Sequence, residues 1–250
     1  MNGGSISKVK IIIGVATYNE ALNIERLIGA IHAHLPNQSI LVLDDNSPDQ
    51  TAQIVDRIAG SAPYLSLVRR PGKLGLGSAT LTLMKYAIEN GFDAIIIMDA
   101  DFSHDPEELP VIAKLLERND FVTGSRYVSG GKCEYGFYRT IVSKVANWGA
   151  RHLAGIPLHE CTTAYRGFKT SLLKKIPMDE IQSTGYSFQV EVLYHIVRHT
   201  GKVAEFPIVF TDRVAGESKI NKKEMLMSAL TLLRLLKRRL MREDSAVIQS

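Results

Sequence analysis

Asp99 and Asp101 stand two residues apart, directly after the aliphatic run Ala94–Met98. In extended backbone, residues i and i+2 point the same way. Two carboxylates aimed at one spot repel each other unless a cation lies between them. Such oxygen donors select Mg²⁺ or Mn²⁺, ions that keep waters and bind substrate phosphates. A bare Asp-x-Asp also fits two solvated loop acids; the aliphatic strand before it favours the metal. Asp44 and Asp45 follow a second aliphatic run, where an acid can accept hydrogen bonds from a ribose hydroxyl or a base edge. Asn46 and Ser47 equally suit turn chemistry, and Asp49 can cap the next helix. Gly72-Lys73-Leu74-Gly75-Leu76-Gly77 either brings backbone amides to an anion at a helix N-terminus or forms a flexible turn. It lacks the G-x-x-x-x-G-K-[ST] pattern, and no G-x-G-x-x-G follows the first strand. Arg126, Arg139, Arg166, Arg213 and Lys219 fall in loops or at element starts. Singly each reads as a surface charge; beside an acidic metal site, together, they suit a diphosphate.

The elements that must position these groups follow from periodicity. Short β-rich runs are expected at Ile11–Ala16, Ile40–Leu43, Leu65–Val68, Ala94–Met98 and Phe121–Thr123. Helices fall between them: one capped by Asn19 with Leu22, Leu27, Ile28 and Ile31 inward, then Thr51–Ala59, Gly77–Glu89, and one opened by Pro106 and ending near Arg118. This alternation predicts an α/β fold, a mainly parallel sheet with helices on both faces. Ligands of such sheets sit beyond the carboxyl ends of the strands, where four polar clusters fall. Farther on, helices are expected at Arg139–Leu153, Phe188–His199 and Met225–Met241. A strand interrupted by Pro207 is expected over Val203–Phe210, and a loop over Asp212–Lys223. The seven histidines show no metal-ligand spacing and read as surface or helix residues, and Trp148 reads as core.

The 250 residues are 45% hydrophobic and 22% charged, which supports a large core and excludes disorder, collagen and coiled coil. Cys133 and Cys161 cannot form a disulfide framework, so a reducing compartment is expected. The longest stretch without Asp, Glu, Lys or Arg, Leu27–Leu43, contains His32, His34, Pro36 and Asn37, so no membrane span is expected. The start lacks a signal-peptide run, and a cytosolic location is expected. Residues 219–242 carry eight basic side chains against Glu224 alone, an excess larger than the net +4 of the whole chain. On a helical wheel Met225, Leu226, Ala229, Leu230, Leu232, Leu233, Leu236 and Leu240 share one face, with Arg234, Arg238 and Arg242 opposite. Such a helix suits an anionic membrane surface, or packs its leucines on the domain or a second copy. No aromatic residues interleave the basic ones, which disfavours nucleic acid.

In order, the chain carries Thr17-Tyr18-Asn19-Glu20, Asp44-Asp45-Asn46-Ser47-Pro48-Asp49, Gly75-Leu76-Gly77-Ser78-Ala79 and Asp99-Ala100-Asp101-Phe102-Ser103-His104. Gly124-Ser125-Arg126-Tyr127, Thr163-Ala164-Tyr165-Arg166 and Asp212-Arg213-Val214-Ala215-Gly216-Glu217-Ser218-Lys219 follow. Taken together these resemble the family 2 glycosyltransferases of GT-A fold, within them the polyprenol-phosphate (dolichol-phosphate) mannose synthases. Four positions depart from the pattern: Ala16 for a common proline, Gln50 for glycine, Glu160 for aspartate and Tyr135 for tryptophan.

The resemblance implies inverting transfer of mannose from GDP-mannose to a polyprenyl monophosphate, with a UDP-sugar donor such as UDP-glucose, to polyprenyl phosphate or another acceptor, as the alternative. A non-catalytic nucleotide-sugar binder is more remote, and an NAD(P)-dependent oxidoreductase lacks its glycine fingerprint. Asp99, Asp101, Glu160 and Arg126 are the implied catalytic residues, and Asp99, Asp101 and Ser103 the implied ligands of Mg²⁺ or Mn²⁺. Ala16, Tyr18, Glu20, Asp44, Asp45, Lys73, Ala100, Arg126, Arg213 and Lys219 are assigned to the nucleotide sugar. Arg139, Ser143, Asn147 and Arg166 are assigned to the acceptor phosphate. A phosphate nucleophile is already anionic, so Glu160 is expected to orient the acceptor rather than act as a base. The Asp212–Lys223 loop is expected to close on the bound donor. The chain is expected to divide into a catalytic domain over 1–223 and a basic helix with tail over 224–250. The enzyme would work at the cytoplasmic face of a membrane, held by that helix, by a membrane-protein partner or as a homo-oligomer.

Overall fold

The computed structural model describes residues 9–134, 137–211 and 222–241. In the first part, strands β1 (Ile11–Thr17), β2 (Ser39–Asp44), β3 (Leu65–Arg69), β4 (Ala94–Asp99) and β5 (Phe121–Ser125) alternate with helices. These are α1 (Ile24–His34), α2 (Thr51–Ala59), α3 (Leu76–Glu89) and α4 (Leu109–Leu116). Then come β6 (Lys132–Glu134), α5 (Phe137–His152), β7 (Arg166–Lys169), α6 (Thr170–Leu173), α7 (Gly185–His199), β8 (Val203–Pro207), β9 (Val209–Thr211) and α8 (Lys222–Leu240). The main sheet has the order β3-β2-β1-β4-β7-β5-β8, all parallel except β7. β6 and β9 form a small parallel pair after the bend at Pro207.

Alternation along β4 explains the two core layers. Ile95 and Ile97 pack with Leu83, Phe188 and Leu193 on the α3 and α7 face, while Ala94, Ile96 and Met98 join Ile28, Leu109 and Ile112 on the α1 and α4 face. β7 slots antiparallel between β4 and β5, a place that needs Gly167: a Cβ there would lie 2.7 Å from Ile112 Cγ2.

Several expectations are corrected. Asn19 adopts a left-handed φ of 63° and extends the first loop, so α1 starts from Asn23 and Leu22 lies exposed outside it. Pro106 opens a single 3-10 turn, Pro106–Glu108, before α4 begins. Trp148 is 59% exposed on α5, whereas His104 and His195 are buried. The expected leucine face of α8 turns largely outward: Leu226, Leu230, Leu233 and Leu240 are exposed, and the buried side is instead that of Thr231 and Leu235, off that face. Arg234 and Arg238, expected on the outer side, instead form ion pairs with Glu191 and Glu180 of the body.

Candidate active site

Strand register gathers the polar clusters. Thr17 lies beside Asp44 across β1 and β2, and Ala16 beside Asp99 across β1 and β4, so the loops leaving three parallel strands emerge in a row. The first two loops are stitched together. The amides of Asn19, Glu20 and Ala21 donate to Ser47 Oγ (3.0 Å), Thr51 Oγ1 (3.0 Å) and Asp49 Oδ2 (2.9 Å). Asp44 is buried and accepts from Thr17 Oγ1 and from the amide and hydroxyl of Ser47. Those bonds make it the anchor of the turn that carries Asp45 and Asn46. Asp45 pairs bidentately with Arg70, at 2.5 and 2.7 Å, and Arg70 Nη1 continues to Ser78 Oγ in the first turn of α3. One guanidinium thus ties the β2 loop to the glycine-rich loop, whose Gly75 takes a φ of +90° closed to most side chains. From that loop the Lys73 ammonium sits 4.0 Å over the Tyr18 ring.

Asp99 ends β4 and Asp101 follows it, both partly exposed, with Ala100 buried between them. The loop is fixed from inside. The Ser103 amide donates to Asp101 Oδ1 (3.0 Å), and the Asp99 amide donates to His104 Nδ1 (3.0 Å). That bond places the His104 proton on Nε2, which faces Thr163 Oγ1 at 3.4 Å, while the ring stacks on Tyr165. Ser103 Oγ is buried without a hydrogen-bond partner. Two carboxylates and an orphaned hydroxyl at the strand end are hard oxygen donors, and they fit a divalent cation. Among the described residues no group of three or more His, Cys, Asp or Glu forms a complete cage. The remaining ligands of an Mg²⁺ or Mn²⁺ ion would therefore come from water and a diphosphate.

Arg126 leaves β5 into a second cluster. Its Nε donates to Glu160 Oε2 (2.6 Å) and its Nη2 to Thr162 Oγ1 (2.7 Å), with Ser143 Oγ of α5 at 3.4 Å. Tyr127 donates its hydroxyl to Ser143 at 2.8 Å, and the Phe210 ring lies 5.4 Å from the Arg126 guanidinium carbon. Glu160 is fully buried. Burial alone would push its carboxyl up, but the Arg126 charge and the bonds from Arg126 and Thr162 outweigh it and hold the carboxyl below the usual range. The loop that carries it is held from β8, where Glu205 accepts from the amides of His159 and Glu160, both at 2.9 Å.

Arg166 does not join this cluster. It is fully buried, and its donors go to Gln189 O, Gln189 Oε1 and Cys161 O, so it cross-braces β7, α7 and the 161 loop. Burial lowers its pKa to about 10. This corrects its assignment to the acceptor phosphate. Asn147 is buried; its Oδ1 accepts from the Cys161 amide and its Nδ2 has no partner. The Arg139 side chain, Arg213, Lys219 and residues 212–221 of the expected Asp212–Lys223 loop lie outside the described residues, while Lys222 and Lys223 already belong to α8. Tyr127 and His104 stood only as members of longer motifs, with no role given, and Arg70, Thr162 and Glu205 were not singled out by sequence. Only Arg70 carried a signal: in an arginine pair at a strand end, alternation turns one side chain inward.

Known proteins extend this geometry. Residues 12–177 match the description "Glycosyl transferase family 2". A polyprenol monophosphomannose synthase of Mycolicibacterium smegmatis is 36% identical over 213 residues, covering 84% of this chain and 80% of its own. An undecaprenyl-phosphate mannosyltransferase of Micrococcus luteus is 34% identical over 214 residues, covering 85% and 88%. Among solved structures, glucosyl-3-phosphoglycerate synthase from Mycobacterium tuberculosis with Mn²⁺, UDP and phosphoglyceric acid superposes with a TM-score of 0.64 at 18% identity, over 91% of this chain and 78% of that one. A mannosyltransferase from Pyrobaculum calidifontis with GDP-Man and Mn²⁺ gives 0.52 at 16%, over 95% and 75%. The fold is GT-A, and the chain belongs to glycosyl transferase family 2 as a glycosyltransferase.

Proposed function

We propose that this enzyme transfers mannose from GDP-mannose to a polyprenyl monophosphate, with inversion, at the cytoplasmic face of a membrane. The observation that carries the reading is the agreement of two relatives, each matched over more than four fifths of this chain, whose names join mannose to a polyprenyl phosphate. The geometry supports it with two separate polar centres on one sheet edge. Asp45, Tyr18 and Lys73 receive the nucleoside side of the donor, Asp99, Asp101 and Ser103 hold the metal, and Arg213 and Lys219 meet the diphosphate. The bound Mg²⁺ or Mn²⁺ would offset the charge that develops on the leaving nucleoside diphosphate. Arg126, with Ser143 and Arg139, positions the acceptor phosphate, whose anionic oxygen is the nucleophile. The buried Asn147 Nδ2 is a further donor on the same helix. Glu160 holds Arg126 in place and is a poor base, because the Arg126 charge and the bonds from Arg126 and Thr162 keep its carboxyl below the usual range.

The test is incubation of the purified protein, Mn²⁺ or Mg²⁺ and a membrane lipid extract with a panel of radiolabelled nucleotide sugars. Organic-phase label from GDP-mannose that disappears in Asp101→Ala supports the proposal. Label from a UDP-sugar instead overturns the donor assignment, and no lipid label from any donor overturns the acceptor assignment.

A further inference from the structure

His104 is 2% exposed and stands where the two polar centres meet. One edge of its ring serves the metal loop: Nδ1 accepts the Asp99 amide at 3.0 Å. The proton is therefore on Nε2, which faces Thr163 Oγ1 at 3.4 Å. Thr163 directly follows Thr162, whose hydroxyl accepts from Arg126 Nη2 and donates to Glu160 Oε1, both at 2.7 Å. One imidazole thus spans from the backbone of a metal-loop aspartate to the segment that grips Arg126 and Glu160. A second path runs through aromatic rings. The His104 ring stacks on Tyr165, with centroids 4.8 Å apart, and meets Phe210 edge-to-face at 6.0 Å. Phe210 in turn lies against the Arg126 guanidinium. Tyr165 returns to the metal side by donating its hydroxyl to the Asp105 carbonyl at 2.8 Å.

We propose that His104 is a positioning residue for sugar transfer, a strut whose ring keeps the metal loop and the Arg126–Glu160 cluster in register. The two centres need one because they leave different strands: the metal loop follows β4, Arg126 follows β5, and β7 lies between those strands in the sheet. Reacting atoms must meet at about 3–3.5 Å, and a misplacement of about 1 Å costs about a hundredfold in rate. A neutral imidazole suits the task, since it holds one acceptor and one donor on opposite edges of a rigid plane. The bridge itself stands on these contacts; naming its ends the donor and acceptor sides rests on the proposed function.

The two ends can be cut separately. Asparagine at 104 brings an oxygen near the Nδ1 position and keeps the Asp99 amide paired, while glutamine brings its amide group near the Nε2 position and leaves that backbone amide without its acceptor. Thr163→Val removes the acceptor at the far end. Mn²⁺ binding, read by electron paramagnetic resonance with GDP or UDP present, should stay within about twofold of the parent in His104→Asn and Thr163→Val and weaken about tenfold in His104→Gln. Single-turnover transfer at saturating donor should fall about a hundredfold in His104→Asn and in Thr163→Val. The double variant should fall no further, because both changes cut the same link. Thr163→Ser restores the hydroxyl and should return transfer to within about threefold of the parent. Transfer within about threefold of the parent in both His104→Asn and Thr163→Val, whatever their melting temperatures, overturns the strut and leaves the ring a core residue. Additive losses in the double variant overturn it too, and so does unchanged Mn²⁺ affinity in His104→Gln. If His104→Asn does not fold, the contrast between Thr163→Val and Thr163→Ser decides. A parent that glycosylates a different acceptor, or uses a different donor, overturns the proposed reaction instead, and the same variants assayed on that pair decide the strut.

Discussion

Replacing Glu160 with glutamine separates a positioning role from a proton-accepting one. The carboxylate accepts from Arg126 Nε at 2.6 Å, from the Thr162 amide at 2.9 Å and from Thr162 Oγ1 at 2.7 Å. An amide offers one oxygen and one NH₂ group to those three donors. One flank therefore loses its acceptor, and Arg126 stays buried without its counter-charge. Losing a hydrogen bond to a charged group costs about 1.5–3 kcal/mol, and removing one partner of a buried ion pair about 3–5 kcal/mol. Some relaxation of the Arg126 side chain toward Ser143 reduces the upper figure. A destabilisation of about 3 kcal/mol is expected, a fall in melting temperature of roughly 6–12 °C for a chain of this size.

The pH dependence has a definite sign. Because the folded carboxyl lies below its ordinary value, the pair contributes fully above the carboxylate range, and the contribution is lost as pH falls through the folded value. Glu160→Gln should remove that acid limb from the stability profile. Turnover should fall by no more than about a hundredfold, the scale of a misplaced positioning group. Differential scanning calorimetry across pH, with single-turnover kinetics at saturating donor, makes the measurement. A loss of four or more orders of magnitude in the chemical step, with both substrates still bound, would refute the reasoning and make Glu160 the base.

Gln50 holds a left-handed φ of 71° on the exposed approach to α2, so Gln50→Gly should stabilise the chain by about 1 kcal/mol, read from urea unfolding midpoints. Arg70→Lys keeps a charge but loses the fork that grips Asp45. The KM for the nucleotide sugar should rise roughly tenfold with kcat little changed, by steady-state assay. Burial pushes the Cys161 thiol up to about 12, so a chromogenic disulfide reagent at neutral pH should titrate Cys133 in the folded protein and Cys161 only after unfolding. Arg166→Met strands three acceptors on Gln189 and Cys161 and should destabilise by about 3 kcal/mol or more, by calorimetry.

The first five strands were legible because each is a short aliphatic run ending in a polar cluster, and the parallel order follows from the helices between them. β7 was not. Its four residues, Arg166 to Lys169, contain a buried arginine and a glycine, and neither looks like strand until the neighbours that enclose them are known. The acidic cluster at the strand ends was legible residue by residue, since Asp45, Asp99 and Asp101 lie within two loops. What hid were groups acting at long range. His104 acts on its own loop, but its identity as a buried prop depends on Tyr165, and Glu205 serves a loop 45 residues earlier. Local periodicity carries no information about such pairs.

α8 shows how a correct period can give a wrong face. The wheel placed the leucines together, and they are together. It could not say that Glu191, fully buried on α7, accepts from the amides of Gln182 and Ser183 and still carries a charge that needs a cation. Arg234 supplies it at 2.8 Å, with further donors to Gln182 Oε1 and Ser183 Oγ. Fixing that arginine inward turns the helix so that Thr231 and Leu235 are buried beside it, and most of the leucine stripe faces out. The basic excess of the C-terminal stretch is thus divided between two tasks. Arg234 and Arg238 hold the helix to the body, and Lys237 and Arg239 remain at the surface beside exposed leucines. An amphipathic helix anchored by its cations and exposed by its leucines is the reverse of an ordinary surface helix, and it gives the apolar outer face a reason to be covered by something other than this domain.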